Sequence, residues 1–170
     1  MHRKTDWSEN RKDDKGEMSF SGMVKEELSR QISTARHCRI AEIAALLSAC
    51  GKMTAAGILR FQTENDAVVR KYFTLLQKTF NIELMRVHKG NGYALELNEQ
   101  DTKTVLNAIE LSEGEPLENC VADSRLLLRN CCRRAFVRGC FLASGSISAP
   151  QKGYHFEIVC SDEQKAEQLR

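Results

Sequence analysis

Residues 38–51 read CRIAEIAALLSACG, and ninety-four positions later residues 132–145 read CRRAFVRGCFLASG. The second string repeats the first in degenerate form. Small residues recur at four-residue spacing in both copies: Ala41, Ala45 and Ala49 in the first, Ala135, Gly139 and Ala143 in the second. Positions four apart share one face of a helix, so each copy predicts a helix with a shallow stripe. Two such stripes let two helix backbones approach closely. A bulkier row runs beside each, Ile43 and Leu47 matching Val137 and Phe141, and each helix stops at a glycine, Gly51 or Gly145, suited to a left-handed C-terminal cap. The expectation is an internally duplicated chain whose two equivalent helices pair with each other.

Outward from these helices the pattern alternates. Val24, Leu28 and Ile32 predict a preceding helix that starts near Ser19 or Ser21 and ends around Ser33. After Cys50, a short hairpin is expected over 52–55 and 58–62, turning at Ala56 and Gly57. Thr63 is the expected N-cap of a helix to about Phe80, with Val68, Tyr72, Leu75 and Leu76 facing the core. A second hairpin, 82–87 and 93–97, turns through Gly90, Asn91 and Gly92, and Asp101 is the expected cap of a helix carrying Val105, Leu106 and Ile109. Residues 112–122, acidic and lacking helical periodicity, read as a linker. Near Asp123 a second half starts; it repeats the helix, carries two strands and enters one more helix at Ser161 or Asp162.

The 170 residues, 42% apolar and 28% charged, suit a globular domain with a proper core. No apolar run approaches the roughly 18 residues that span a bilayer, and residues 1–17 lack a signal-peptide core. They hold five acidic and five Lys or Arg residues without aliphatic periodicity, and read as a disordered leader. A cytoplasmic location follows. The net charge of +2 does not announce nucleic-acid binding. The cysteine count is seven, Cys131 and Cys132 are adjacent and no C-x-x-C pair exists, so the thiols read as reduced core residues; no metal and no cofactor are expected. The equivalence of Cys38 with Cys132 is attributed to duplication. His37, His88 and His155 are scattered and are given no chemistry.

Residues 43–51, IAALLSACG, and 137–145, VRGCFLASG, can be read onto the LAGLIDADG motif of homing endonucleases. With MSF…KEEL from Met18, QTEN at 62–65 and CCRRAFVRGCFLASGSIS at 131–148, the chain resembles the WhiA family of bacterial regulators over residues 18–170. That resemblance implies an α+β, LAGLIDADG-like fold: one αββαββα half over 18–111, and over 123–170 the start of a second half lacking two strands and the last helix. It also implies a role in transcriptional control of sporulation or cell division, at the nucleoid. The implied partners are DNA, mainly through a helix-turn-helix that does not occur in this chain, and a regulatory protein; no membrane is involved.

In the active nucleases of that fold, an acidic residue just before each motif's last glycine holds a divalent metal. Here those positions are Cys50 and Ser144, and the nearest acid, Glu42, lies about 12 Å back along its helix. No catalytic residue and no cleavage are expected. The strand face that grips DNA in such enzymes corresponds here to Lys52, Arg60, Gln62, Arg86 and Lys89, interspersed with Glu83 and Glu96. Residues 125–138, RLLLRNCCRRAFVR, add five arginines and no acid, of which Arg133, Arg134 and Arg138 are candidate phosphate contacts. The competing expectation for Arg134 and Arg138 is that their stems close the edge of the helix seam. Mixed charge on the strands leaves open a third reading, a protein-interaction or scaffolding module with an idle DNA face.

Overall fold

The computed structural model describes residues 18–84, 87–111, 117 and 122–170. The elements in order are α1 (Phe20–Arg30), α2 (Arg36–Cys50), β1 (Gly51–Met53), β2 (Leu59–Thr63), α3 (Asp66–Phe80), β3 (Val87–Lys89), β4 (Gly92–Glu96), α4 (Glu99–Ala108), α5 (Asn130–Ser144), β5 (Gly145–Ile147), β6 (Phe156–Ile158) and α6 (Glu163–Gln168). From α2 to α4 this is the αββαββα plan, and α5 to α6 repeat its first four members. The leader at 1–17, Arg86 and the linker positions 112–116 and 118–121 lie outside the described residues.

The strands β1 to β4 form an antiparallel sheet in the order β1-β2-β4-β3, and β5 pairs with β6. Alternate strand residues point to opposite faces. The register Phe61↔Leu95 therefore sends Leu59, Phe61, Leu95 and Leu97 inward, where they meet Ile43, Leu46 and Leu47 of α2 and Val68, Tyr72, Leu75 and Leu76 of α3. Phe61 stacks on Tyr72, ring centroids 4.0 Å apart. Each such side chain contributes about 1.5–3 kcal/mol by leaving water, and together they make this layer the core. Lys52↔Arg60 and Arg60↔Glu96 occupy the opposite face of the sheet. No helix among the described residues is long and apolar enough to cross a membrane.

Four local expectations need correction. The strand expected over 82–87 is β3 at Val87–Lys89, and residues 82–84 lie in no strand. The cap of α3 is Asn65, whose side chain accepts from the amides of Ala67 and Val68, because Thr63 is still paired with Tyr93 at the end of β2. The cap of α4 is Asn98: it accepts from the Asp101 amide while Asp101 accepts from the Asn98 side chain, a reciprocal arrangement that makes Asp101 the third residue of the helix. Finally, Gly51 and Gly145 are not left-handed. Their φ values are −86° and −87°, extended backbone open to any residue. Glycine is needed there for room, since a Cβ on Gly51 would meet the Leu47 carbonyl oxygen at 2.6 Å and one on Gly145 would meet the Phe141 Cα at 2.8 Å.

Candidate functional site

The seam between α2 and α5 organises everything with chemical potential. At its middle, Gly139 faces Ala45: a Cβ built on Gly139 would lie 2.7 Å from the Ala45 Cβ and 2.9 Å from the Glu42 carbonyl oxygen. Ala41, Ala45 and Ala135 are buried in this contact, Ala143 is half-buried, and Ala49 is exposed beyond its edge.

Beside the stripe lies a buried ionic group. Glu42 is 0% exposed, and its carboxylate accepts from Arg138 of α5 through Nε and Nη2, both at 2.8 Å, and from Lys71 of α3 at 2.9 Å. Lys71 also donates to the carbonyls of Leu28 and Gln31 at the end of α1, and Arg138 to Ser33 Oγ at 3.2 Å. Burial pulls the Lys71 amine down against the attraction of Glu42, whereas hydrogen bonding to Glu42 holds the Arg138 guanidinium up. The carboxylate joins α2, α3 and α5, and Lys71 extends the group to α1.

At the C-terminal end of the seam, Cys50 and Ser144 occupy the two motif positions before the final glycines. Burial pushes the Cys50 thiol up to about 11, and Ser144 Oγ donates back to the Cys140 carbonyl at 3.3 Å. A cavity of about 220 Å³ opens here, lined by Ser48, Cys140, Ser144, Cys160 and Lys165. Lys165 donates to the Ser48 carbonyl at 2.8 Å. A hydrolytic divalent metal needs hard, anionic oxygen ligands, and thiols, hydroxyls and an ammonium do not fit it.

The candidate DNA contacts separate into groups. Lys52, Arg60 and Gln62 share the outer sheet face, but Arg60 Nε donates to Glu96 at 2.6 Å and is partly neutralised. Arg133 and Arg134 are exposed on α5, Arg133 Nε donating to the Leu127 carbonyl at 2.8 Å, and border a groove that also holds Val137 and Phe141. Arg138, with its side chain 17% exposed, is bound to Glu42 and is a poor phosphate ligand. The run 125–138 is not one helix: a 3-10 turn spans Ser124–Leu127, Arg129 caps α5, and Arg125 closes onto Asp123 and Glu110.

The N-terminal end of the seam holds residues to which the sequence reading gave no role. His37 and Cys38 in the first turn of α2 meet Cys131 and Cys132 in the first turn of α5, with one potential ligand atom from each lying within 4.8 Å of all the others. Nδ1 of His37 is 3.2 Å from Cys132 Sγ and 3.3 Å from Cys38 Sγ, and Arg129 donates to its Nε2 at 3.2 Å. A signal was available: the two adjacent pairs are related by the same ninety-four-residue offset as the helices. Their large sequence separation concealed it.

Two family models match the chain, the WhiA N-terminal LAGLIDADG-like domain over residues 36–112 and the WhiA LAGLIDADG-like domain over residues 133–170. The chain belongs to the WhiA family. It is 48% identical over 168 residues to the probable cell division protein WhiA of Lachnoclostridium phytofermentans, covering 90% of this chain and 53% of that protein. The corresponding protein of Lachnospira eligens is 37% identical over 164 residues, covering 89% and 52%. This WhiA-family chain thus spans about half the length of the curated relatives it matches. Its fold matches the crystal structure of full-length DUF199/WhiA from Thermatoga maritima with a TM-score of 0.62 at 23% identity, over 89% of this chain and 48% of that one. The N-terminal LAGLIDADG domain of DUF199/WhiA gives 0.61, also at 23% identity, over 89% and 72%.

Proposed function

We propose that this chain is the LAGLIDADG-like part of a DNA-binding transcriptional regulator that acts in cell division or sporulation, and that it binds DNA without cutting it. Family membership supports the regulatory role, and the observation that carries the loss of cleavage is the donor set at the seam's C-terminal end. Cys50 and Ser144 stand where carboxylates are needed, and the cavity that Ser144 lines also holds Lys165. DNA contact by this part rests on Lys52, Gln62, Arg133 and Arg134, a sparse set that supports weak, salt-dependent association, with sequence selection left to a helix-turn-helix of the whole regulator.

The test is a titration of labelled promoter and scrambled duplexes at two salt concentrations, alongside supercoiled plasmid with Mg²⁺ or Mn²⁺. Expected are affinities nearly indifferent to sequence, a steep fall with salt, a further fall on charge reversal at Arg133 and Arg134, and no nicking. Nicking that survives repurification, or a sequence preference that persists at the higher salt, refutes this reading. The Arg60–Glu96 pair favours a second reading, a protein-interaction module with an idle strand face. No measurable DNA association at low salt would select it.

A further inference from the structure

The geometry points to a mononuclear zinc(II) site of Cys3His type formed by His37, Cys38, Cys131 and Cys132, which clamps the first turn of α2 to the first turn of α5. Metal–sulfur bonds of about 2.3 Å and metal–nitrogen bonds of about 2.0–2.1 Å put neighbouring ligand atoms of a tetrahedral zinc site roughly 3.5–3.8 Å apart. The His37 Nδ1 to sulfur distances of 3.2 and 3.3 Å, and the 4.8 Å limit on all pairs, are close to such a tetrahedron. The short pairs open by a few tenths of an ångström and pairs at the 4.8 Å limit close by about 1 Å to complete it. One ion bridges these separations, and three thiolates with one imidazole suit a soft, four-coordinate, redox-inert cation rather than magnesium or calcium.

The surroundings suit an anionic centre. Three thiolates around a divalent ion leave one net negative charge, held here at the N-termini of two helices. Neither helix has a side-chain cap or an acidic residue in its first turn, so unsatisfied amides and both helix dipoles face this end. Arg129 adds a guanidinium at 3.2 Å from His37. Cys38 and Cys132 are buried, which shields the centre from water, while Cys131 is exposed and offers the ion a way in. Arginine only donates, so its bond to Nε2 places the ring proton on Nδ1. Ligation through Nδ1 keeps that proton on the ring at Nε2 and ends the bond from Arg129, while the three thiol protons are released to solvent; affinity therefore falls as pH is lowered. The site is at the opposite end of the seam from Cys50 and Ser144, and each half of the duplication supplies two adjacent ligands.

The test uses the full 170-residue protein, reduced and stripped with a chelator, then titrated with Co(II) and afterwards with Zn(II). Expected are thiolate-to-cobalt charge-transfer absorption with the intense visible bands of a tetrahedral ion, saturation at one equivalent, displacement by zinc, and a higher Tm with zinc bound. Cys131→Ser, at an exposed position, should keep its circular dichroism and weaken binding by more than about 100-fold, beyond the range typical of losing a mere outer-shell partner. His37→Gln should act likewise, and Cys140→Ser, at the far end of the seam, should bind as the parent does. Absence of tetrahedral bands, binding unchanged in both Cys131→Ser and His37→Gln, or a Cys38 disulfide to Cys131 or Cys132 in protein isolated under reducing conditions would overturn the proposal.

Discussion

Replacing Gly139 by alanine tests the seam through the sign of its effect. In an exposed helix interior, Gly→Ala stabilises by about 1 kcal/mol, because alanine loses less backbone freedom on folding. At Gly139 the new methyl would lie 2.7 Å from the Ala45 Cβ and 2.9 Å from the Glu42 carbonyl oxygen, where carbon–carbon contacts normally settle at about 3.5–4.0 Å. Roughly 1 Å of separation must be made between two backbones, and the carbonyl has no rotamer by which to withdraw. Overpacking of this kind costs about 1–3 kcal/mol, and the upper part of that range applies because opening the seam also strains the Glu42–Arg138 pair. After the propensity gain, the expected net loss is about 1–2 kcal/mol, with a larger loss for Gly139→Leu. Urea denaturation, with midpoints compared at unchanged slope, measures it. Adding Ala45→Gly removes one of the two clashes and should recover part of the loss, an interaction that a double-mutant cycle isolates. Arg133→Leu, on the exposed surface, is the control and should change stability by no more than about 0.5 kcal/mol. If Gly139→Ala stabilises the protein by about 1 kcal/mol, the helices are not in contact there and the seam argument fails.

Glu42→Gln leaves two buried cations without their carboxylate and should cost about 3–5 kcal/mol, little changed by salt, with partial recovery on adding Lys71→Met; a loss below about 1 kcal/mol would mean that water reaches the group. The Tyr72 hydroxyl is buried with no hydrogen-bond partner among the described residues, so Tyr72→Phe should leave thermal stability unchanged or raise it by about 1 kcal/mol, and a clear loss would reveal a missed partner. Hydrogen bonding from the Arg125 side chain and amide holds the Asp123 carboxyl down to about 2, so the stability it contributes is complete above its ordinary 3.8 and fades as pH falls from 3.8 toward 2; a carboxyl NMR titration with a midpoint near 3.8 would refute the pairing. In chelated, reduced protein, alkylation followed by peptide mapping should find Cys131 modified first among the described cysteines, since it is exposed and hydrogen bonding to Cys38 lowers its thiol. Cys50 and Cys140, pushed by burial up to about 11 and 12, should react far later.

Legibility followed the range of the interactions. The four-residue spacing of Ala41, Ala45, Ala135 and Gly139 announced α2 and α5, a local periodicity imposed by one buried face, and the turn residues Gly57 and Gly90 announced where the two pairs of strands reverse. Caps were displaced by two or three residues: Thr63, Asn65, Asn98 and Asp101 are all good cap types, and the selection depends on where the sheet register releases the chain. The requirement for glycine at positions 51 and 145 was readable, but its cause was not, since crowding by Leu47 and Phe141 shows only in three dimensions. The pairing of Glu42 with Arg138 and the meeting of His37 with Cys132 join residues about ninety-five apart and leave no periodic trace.

The contacts along the seam divide their labour in a way that follows from their chemistry. Alanine and glycine bring α2 and α5 close, but each buried methyl contributes only about 0.8 kcal/mol, and one stripe of small residues resembles the next. Closeness alone therefore leaves the register of α5 on α2 weakly specified. A slip of one helical turn, about 5.4 Å, would keep small residues facing small residues while carrying Arg138 out of reach of Glu42. That slip would take both Arg138 hydrogen bonds from a carboxylate that is 0% exposed and leave Lys71 as its partner, and hydrogen bonds to a charged group contribute about 1.5–3 kcal/mol each, more than the methyl groups could return. The same slip would separate His37 and Cys38 from Cys131 and Cys132. The apolar stripe thus sets the distance between the two halves, and the polar groups at its middle and N-terminal end set their alignment.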